Sequence, residues 1–285
     1  MTEKLTIPQL AEKKRAGERL SMVAIGEFLT AQWAERAGID IIGIGDSLGM
    51  TLHGHENTME MTVDQMIDHC KAVRRGAPNT FTILAMPYGS YATTERAVTN
   101  ALRMMKESGA DAIKLQGGRE KFDIIRAVAD AGVPILGHVG LIPHQVHLMG
   151  GFKMQGRTAD AALKIIDHAR AIEEAGAIGM EVEAVPYEVG KAVEDAVSIF
   201  TFSIGAGAAS NCQLLNGYDL IGGFDSFKPK FAKRYGNVNE VATQAFRDYA
   251  AEVKAKTFPD GDHTYKMNPE EAEKLRAALA EGKER

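Results

Sequence analysis

The stretch LTAQWAERAGIDIIGIGDS, residues 29–47, decides how the chain folds. Leu29 to Ala37 reads as a helix, and Gly38 supplies the usual stop just past its last turn. Asp40 to Gly45 then runs almost wholly aliphatic and glycine, without polar alternation. Such a run marks a strand buried on both faces, as in a parallel sheet covered by helices. Asp46-Ser47 follows directly, where the strand would open onto a loop. Helix, Ala-Gly, buried strand and a polar residue at the strand end make one unit of a repeated pattern.

The junction recurs as Ser108-Gly109, Ala131-Gly132 and Ala175-Gly176. Strands are expected at Ser21 to Ile25, Asp40 to Gly45, Phe81 to Met86 and Asp111 to Gln116. Four more are expected at Val133 to Val139, Gly179 to Val185, Ser198 to Gly205 and, most weakly, Tyr218 to Gly223. Helical patterns lie between most of them: Thr62 to Arg75, Thr93 to Glu107, Glu120 to Ala131 and Asp160 to Ala175. Val238 to Ala255 and Pro269 to Glu281 close the chain. Eight strands with helices between most of them predict an α/β fold, a (β/α)8 TIM barrel with an N-terminal helix and a C-terminal helical extension. A length of 285 residues suits one such domain over 1–285. No Gly-rich dinucleotide fingerprint follows the first strand, which argues against a Rossmann domain.

Composition narrows the partners. The formal net charge of −5 gives no electrostatic reason to expect nucleic acid or an anionic membrane surface. No apolar run is long enough to span a bilayer. The start, Met-Thr-Glu-Lys, leads into a polar helix rather than a signal peptide, so a cytoplasmic location is expected. Cys70 and Cys212 form no CxxC pair and read as reduced thiols.

In a barrel, polar residues at the C-terminal ends of strands read as catalytic. That rule selects Asp46 and Ser47, Lys114 and Gln116, His138, Glu181 and Glu183, and the Gly205-Ala206-Gly207 turn. Each has a plainer reading. Asp46 could cap the next helix. Lys114 could form a structural pair with a Glu inside the barrel, although a Lys in an apolar strand is costly to bury without a partner or a task. His138 could satisfy a backbone carbonyl. Gly205 and Gly207 could make only a tight turn, or could let backbone N–H groups approach an anion. Together, a cation, an imidazole and carboxylates at one mouth suit a small anionic substrate whose carbonyl is polarised and whose α-proton is removed. The Gly-rich connection from Gly140 to Thr158 is long enough to read as a lid or binding loop.

These residues stand in motifs: Gly45-Asp46-Ser47-Leu48-Gly49-Met50, Lys114 with Gly117-Gly118, Gly137-His138, Gly150-Gly151-Phe152-Lys153, Glu183 with Val185-Pro186, and Ile204-Gly205-Ala206-Gly207. The series, running in order from about Ser21 to Tyr265, resembles the ketopantoate hydroxymethyltransferase family of the phosphoenolpyruvate mutase and isocitrate lyase superfamily. The resemblance implies Mg²⁺, a 2-oxo acid turned into its enolate, and 5,10-methylenetetrahydrofolate as the one-carbon cosubstrate. It implies a metal ligand at Asp46, substrate contacts at Ser47 and Lys114, a general base at Glu183, and a homo-oligomer. Two further acidic positions of the family read Ala85 and Gln116 here, so Asp46 alone remains of three acidic groups, with a neutral oxygen on Gln116. Glu27 or His138 could supply the missing ligand. A diverged aldolase, lyase or hydrolase on another carboxylate, or an inactive paralogue kept for binding, are the alternative readings.

Overall fold

The computed structural model describes residues 4–226 and 228–281. The N-terminal helix α1 (Ile7–Arg15) precedes β1 (Leu20–Ala24). Then follow α2 (Phe28–Arg36), β2 (Ile41–Ile44), the short α3 (Leu48–Thr51), α4 (Val63–Gly76), β3 (Phe81–Ala85), α5 (Thr94–Ser108) and β4 (Ala112–Lys114). The second half holds α6 (Phe122–Asp130), β5 (Ile135–Gly140), α7 (Ala159–Glu174), β6 (Gly179–Glu183), α8 (Tyr187–Ala196), β7 (Phe200–Ile204), β8 (Cys212–Asn216) and α9 (Gly217–Leu220). The strands are parallel and close in sequence order, with β8 returning beside β1. The expected barrel is therefore the observed fold.

Local chemistry sets the element ends. Thr62 and Gln65 form a reciprocal capping box on α4, and Thr93 caps α5. At its far end α5 stops on Gly109 at φ +73°, a left-handed position that a glycine adopts without strain.

The eighth strand is a correction. It lies at Cys212–Asn216, and the expected run from Tyr218 opens with helix α9. Cys212 and Leu214 are buried while Gln213 between them is exposed, so the strand alternates and lacks the aliphatic run of its neighbours. Asn216 accepts a hydrogen bond from the Tyr218 N–H at 3.1 Å and turns the chain into α9. Helix α8 was not expected; it begins directly after Pro186 with no side-chain cap to announce it.

Two apolar clusters hold the barrel. One lies between the outward faces of the strands and the helices, with Ile42, Ile44, Leu84 and Ile113 against Met66, Ile67, Ile125 and Ile172. The other fills the barrel itself near the strand starts, with Met22, Ile41, Phe81, Leu136, Phe202 and Leu214, and Leu10 of α1 belongs to it. Because side chains alternate along a strand, each inward apolar residue is followed two positions later by the next inward residue. Ala112 is thus followed by Lys114, Leu136 by His138, and Gly179 by Glu181 and Glu183. The filled lower barrel leaves room for polar groups only at the C-terminal mouth.

The sequence expectation of one domain spans 1–285, of which 1–3, 227 and 282–285 lie outside the described residues. Contacts divide the chain into two compact units, meeting at Gly236 and Asn237. The first is the barrel. The second holds α10 (Val238–Ala255) and α11 (Pro269–Glu281), both at the expected bounds, with Val241, Phe246 and Tyr249 exposed on α10. Among the described residues, no helix is long and apolar enough to cross a membrane. Cys70 and Cys212 are free and fully buried, and burial pushes the Cys70 thiol up to about 11.

Gly140 ends β5 at φ +92°, and a Cβ there would sit 2.2 Å from the backbone oxygen of Glu183. Gly140→Ala is expected to lower stability by about 2–4 kcal/mol, combining backbone strain with a displaced β6. Urea unfolding followed by circular dichroism measures it; a change below about 0.5 kcal/mol would show that β5 and β6 do not constrain each other there.

Candidate active site at the barrel mouth

The strand register brings the selected residues together. Parallel partners point the same way, so His138 of β5 stands beside Glu181 of β6, and Ala85 of β3 beside Lys114 of β4. They line a cavity of about 160 Å³ at the strand ends. Asp46, Ser47, Lys114, Gln116, His138, Glu181 and Glu183 all contribute to its wall, as does Ala85. Phe152, from the long connection after β5, and Phe231 are also in the wall. Gly205 and Gly207 do not line it. At φ +72° and +83° they pack under Phe231 and Tyr187, and the Ala206 N–H between them donates to Ser203 Oγ. That is a tight turn whose central N–H is already paired. Glu27 is also elsewhere: its carboxylate caps α2, accepting from the N–H groups of Leu29 and Thr30 at 2.6 and 2.8 Å.

Lys114 donates to Glu181, whose side chain is buried, and Lys114 itself is mostly buried. Burial works against the ammonium, but the charges of Glu181 and Asp46 outweigh it and hold its pKa above the ordinary value. Burial likewise opposes ionisation of Glu181, and the Lys114 charge overcomes it. The plainer reading of Lys114, an internal Lys–Glu pair, is present in the structure. It does not exhaust the residue, because the pair faces the cavity rather than the apolar plug.

Glu183 behaves differently. Burial dominates and raises its pKa above the ordinary 4.5. His138 Nε2 lies 3.1 Å from Glu183 and 3.9 Å from Glu181. The ring is 1% exposed, yet neither nitrogen makes a hydrogen bond of good geometry. His138 therefore does not serve a backbone carbonyl. One donor atom each from His138, Glu181 and Glu183 falls within 4.8 Å of the others, a spacing and a nitrogen–oxygen ligand set that a divalent metal could use. Ala184, the next residue, sits at φ +45°, where a side chain costs about 1 kcal/mol or more. Its carbonyl accepts from the Gln155 N–H at 2.9 Å, tying the long connection to β6.

Asp46 does not cap α3. Its carboxylate accepts from Gln116 Nε2 at 3.2 and 3.4 Å and from His144 Nε2 at 2.5 Å. Burial pushes the Asp46 pKa up, but the adjacent His144 and Lys114 more than reverse this and hold it at about 2. An ionised carboxylate can only accept, so the His144 Nε2–H is the donor. His144 Nδ1 lies 2.5 Å from the Tyr91 hydroxyl, and burial pushes the Tyr91 pKa up. The Gln116 oxygen that could have faced a cation accepts instead from the His144 N–H at 3.0 Å.

His144 and Tyr91 are the functional residues that sequence reasoning missed. His144 sits on a 3₁₀ turn, Pro143–Gln145, within the long connection. The available signal was the length of that connection together with a histidine beside its proline; Tyr91 had none, standing in an ordinary strand-to-helix loop.

The buried ion pair makes a direct prediction. Lys114→Met should cost about 3–5 kcal/mol, because it leaves Glu181 charged and unpaired. Lys114→Met combined with Glu181→Leu should recover most of that loss. A double-mutant cycle by urea unfolding decides it; additive losses would show that the two groups are not coupled.

A family model described as ketopantoate hydroxymethyltransferase matches residues 4–261. A relative from Methylibium petroleiphilum, named 3-methyl-2-oxobutanoate hydroxymethyltransferase 1, is 47% identical over 96% of this chain and 93% of its own. The enzyme of that name from Alkaliphilus metalliredigens is 48% identical over 96% and 98%. Among solved structures, 2,3-dimethylmalate lyase of the phosphoenolpyruvate mutase and isocitrate lyase superfamily aligns with TM-score 0.60 at 14% identity, covering 98% of this chain and 97% of that one. Phosphonopyruvate hydrolase in complex with oxalate and Mg²⁺ aligns with TM-score 0.60 at 14% identity, covering 97% and 99%. At such identity these two structures share the fold.

Proposed function

This chain belongs to the ketopantoate hydroxymethyltransferase family, and we propose that it transfers a hydroxymethyl group from 5,10-methylenetetrahydrofolate to 3-methyl-2-oxobutanoate. The observation that carries this reading is the pairing of a buried ammonium with a buried, proton-hungry carboxyl at one mouth. Lys114 can hold the negative charge that develops on the substrate's carbonyl oxygen. Glu183, raised by burial, has the basicity to take the proton from the carbon next to that carbonyl. In the step, that C–H bond breaks, the proton passes to Glu183, and the electron pair delocalises onto the carbonyl oxygen. The bond from the methylene carbon to folate N10 breaks and the enolate carbon bonds to that methylene carbon. Water then replaces N5 on it as the hydroxyl. Tetrahydrofolate leaves with its two nitrogens protonated, one proton from the substrate C–H and one from water. His138 Nε2, 3.1 Å from Glu183, stands close enough to that carboxyl to take part in proton movement. Asp46 and Ser47, in the connection that follows β2, line the cavity and complete the substrate wall.

The Mg²⁺ that the family resemblance implies does not fit at Asp46. The Ala85 side chain offers no oxygen, the Gln116 oxygen already accepts from a backbone N–H, and Asp46 Oδ2 already accepts from His144 and Gln116. The charge role therefore rests on Lys114 in this reading. A cytoplasmic homo-oligomer is part of the same proposal: two free thiols suit a reducing compartment, and the exposed apolar residues of α10 suit contact with a second copy. The altered Asp46 surroundings favour, as a second reading, the same enolate chemistry on another 2-oxo acid.

Purified protein given both substrates should form ketopantoate, detected by mass spectrometry. No product, together with binding of a different 2-oxo acid from a panel, would select the second reading. Glu183→Gln should cut kcat by about 100-fold or more. The base must be ionised to act and its pKa is raised, so kcat/KM should fall as pH drops through a value above 4.5. An acid limb at or below an ordinary carboxylate value would take Glu183 out of the role.

A further inference from the structure

Asp46 Oδ2 accepts from two N–H donors, His144 Nε2 at 2.5 Å and Gln116 Nε2 at 3.2 Å, and both donors belong to groups that are themselves fixed. The Gln116 amide cannot turn over without placing its NH₂ against the His144 backbone N–H, since its oxygen now accepts from that group at 3.0 Å. The His144 ring is fixed by three independent contacts. Its Nε2 is 2.5 Å from Asp46, its Nδ1 is 2.5 Å from the Tyr91 hydroxyl, and the rings of Tyr88 and Tyr91 flank it with centroids at 5.6 and 5.8 Å. The side chain is buried and lines a second cavity with Tyr88, Tyr91 and Lys121, while Gln116 lines both that cavity and the barrel mouth.

A divalent cation such as Mg²⁺ takes hard oxygen ligands at about 2.0–2.1 Å in octahedral geometry. To bind at Asp46 Oδ2 it would have to expel the His144 ring from a buried slot and leave its N–H unpaired, and at Oδ1 it would find a single carboxylate oxygen beside the Gln116 NH₂. Leaving a buried donor unsatisfied is unfavourable, before the loss of the Tyr91 contact is counted. In return it would gain one carboxylate and no second acidic ligand, because the neighbouring strand ends carry Ala85 and Gln116. We infer that this chain has exchanged the divalent cation at Asp46 for the His144 imidazole, which acts as a positioning residue for that carboxylate. The carboxylate is thereby held and its charge answered by the protein itself. Asp46 then faces the cavity as a fixed anion opposite the Lys114 ammonium, with no exchangeable ion between them.

The test is metal binding, so it stands or falls separately from the reaction proposed above. Mn²⁺ alone, a paramagnetic substitute for Mg²⁺, is titrated into the purified full-length protein and followed by electron paramagnetic resonance. Any Mn²⁺ bound by the unaltered chain should be unaffected by Asp46→Asn. Tight Mn²⁺ binding that Asp46→Asn weakens by about tenfold or more overturns the inference. Mn²⁺ held by His138, Glu181 and Glu183 would instead be lost in Glu181→Gln and kept in Asp46→Asn, which supports the inference because Asp46 takes no part. In the other direction, Ala85→Asp with Gln116→Glu and His144→Ala should create an Asp46-dependent Mn²⁺ site about tenfold tighter or more. The same pair of acidic substitutions with His144 retained should gain less. An equal gain with and without the imidazole, or no gain in the triple variant, overturns the role of His144. If the triple variant does not fold, His144→Phe takes the place of His144→Ala in it, keeping a ring in the slot without the N–H donor, and the same comparison decides.

Discussion

The barrel mouth depends on one constraint: an ammonium buried at Lys114 must be answered by carboxylates close enough to outweigh its lost hydration. Moving a charge out of water costs several kcal/mol even after relaxation, and only nearby opposite charge with good hydrogen-bond geometry repays it. Glu181 gives the direct contact, and Asp46 and Glu183 add their fields. The arrangement divides two neighbouring glutamates into different chemical states. Glu181, in contact with the ammonium, stays ionised. Glu183, two residues on along the same face, is governed by burial and holds its proton more tightly. One buried cation thus separates a structural carboxylate from a basic one, which is the general way in which a site obtains acid and base from identical side chains.

The lower barrel makes that constraint possible. Met22, Ile41, Phe81, Leu136 and Phe202 fill the interior, so water reaches the polar layer from one side. A site open at both ends would hydrate Lys114 and weaken every interaction around it. The inward alternation that packs these residues is the same alternation that delivers Lys114, His138, Glu181 and Glu183 two residues further on. Core and site are successive layers of one periodicity, which also explains why a glycine such as Gly140 is needed where β5 passes close to β6.

Most of the barrel was legible in the sequence because its strands are buried on both faces and write themselves as aliphatic runs. The exception shows the limit: Cys212–Asn216 exposes Gln213 and carries no such run, so the eighth strand was placed too late. The cavity-lining residues on strands were legible for a related reason, since a Lys or Glu interrupts an apolar strand visibly. His144 was not. It lies in an irregular connection, where polar residues are ordinary, and its meaning comes from contacts with Asp46, Gln116 and Tyr91 that are distant in sequence. The neutral oxygen of Gln116 was legible as a residue type, but its orientation depends on a backbone N–H supplied by that same connection. The glycines of strand seven were read as a possible anion cradle, and the structure shows the turn's central N–H already paired.

The placement of His144 on a loop has a consequence for how such enzymes can change. A strand residue is fixed in register with its neighbours, and altering it disturbs the layer in which it packs. The connection from Gly140 to Thr158 is joined to the scaffold at its ends and by the Gln155 to Ala184 hydrogen bond, and carries His144 inward on a short turn. Replacing that one connection would re-equip the mouth while every strand keeps its register, since loops tolerate substitution that packed elements do not. In this architecture the surroundings of Asp46 are a detachable part, while the charges of Lys114, Glu181 and Glu183 stay with the strands that carry them.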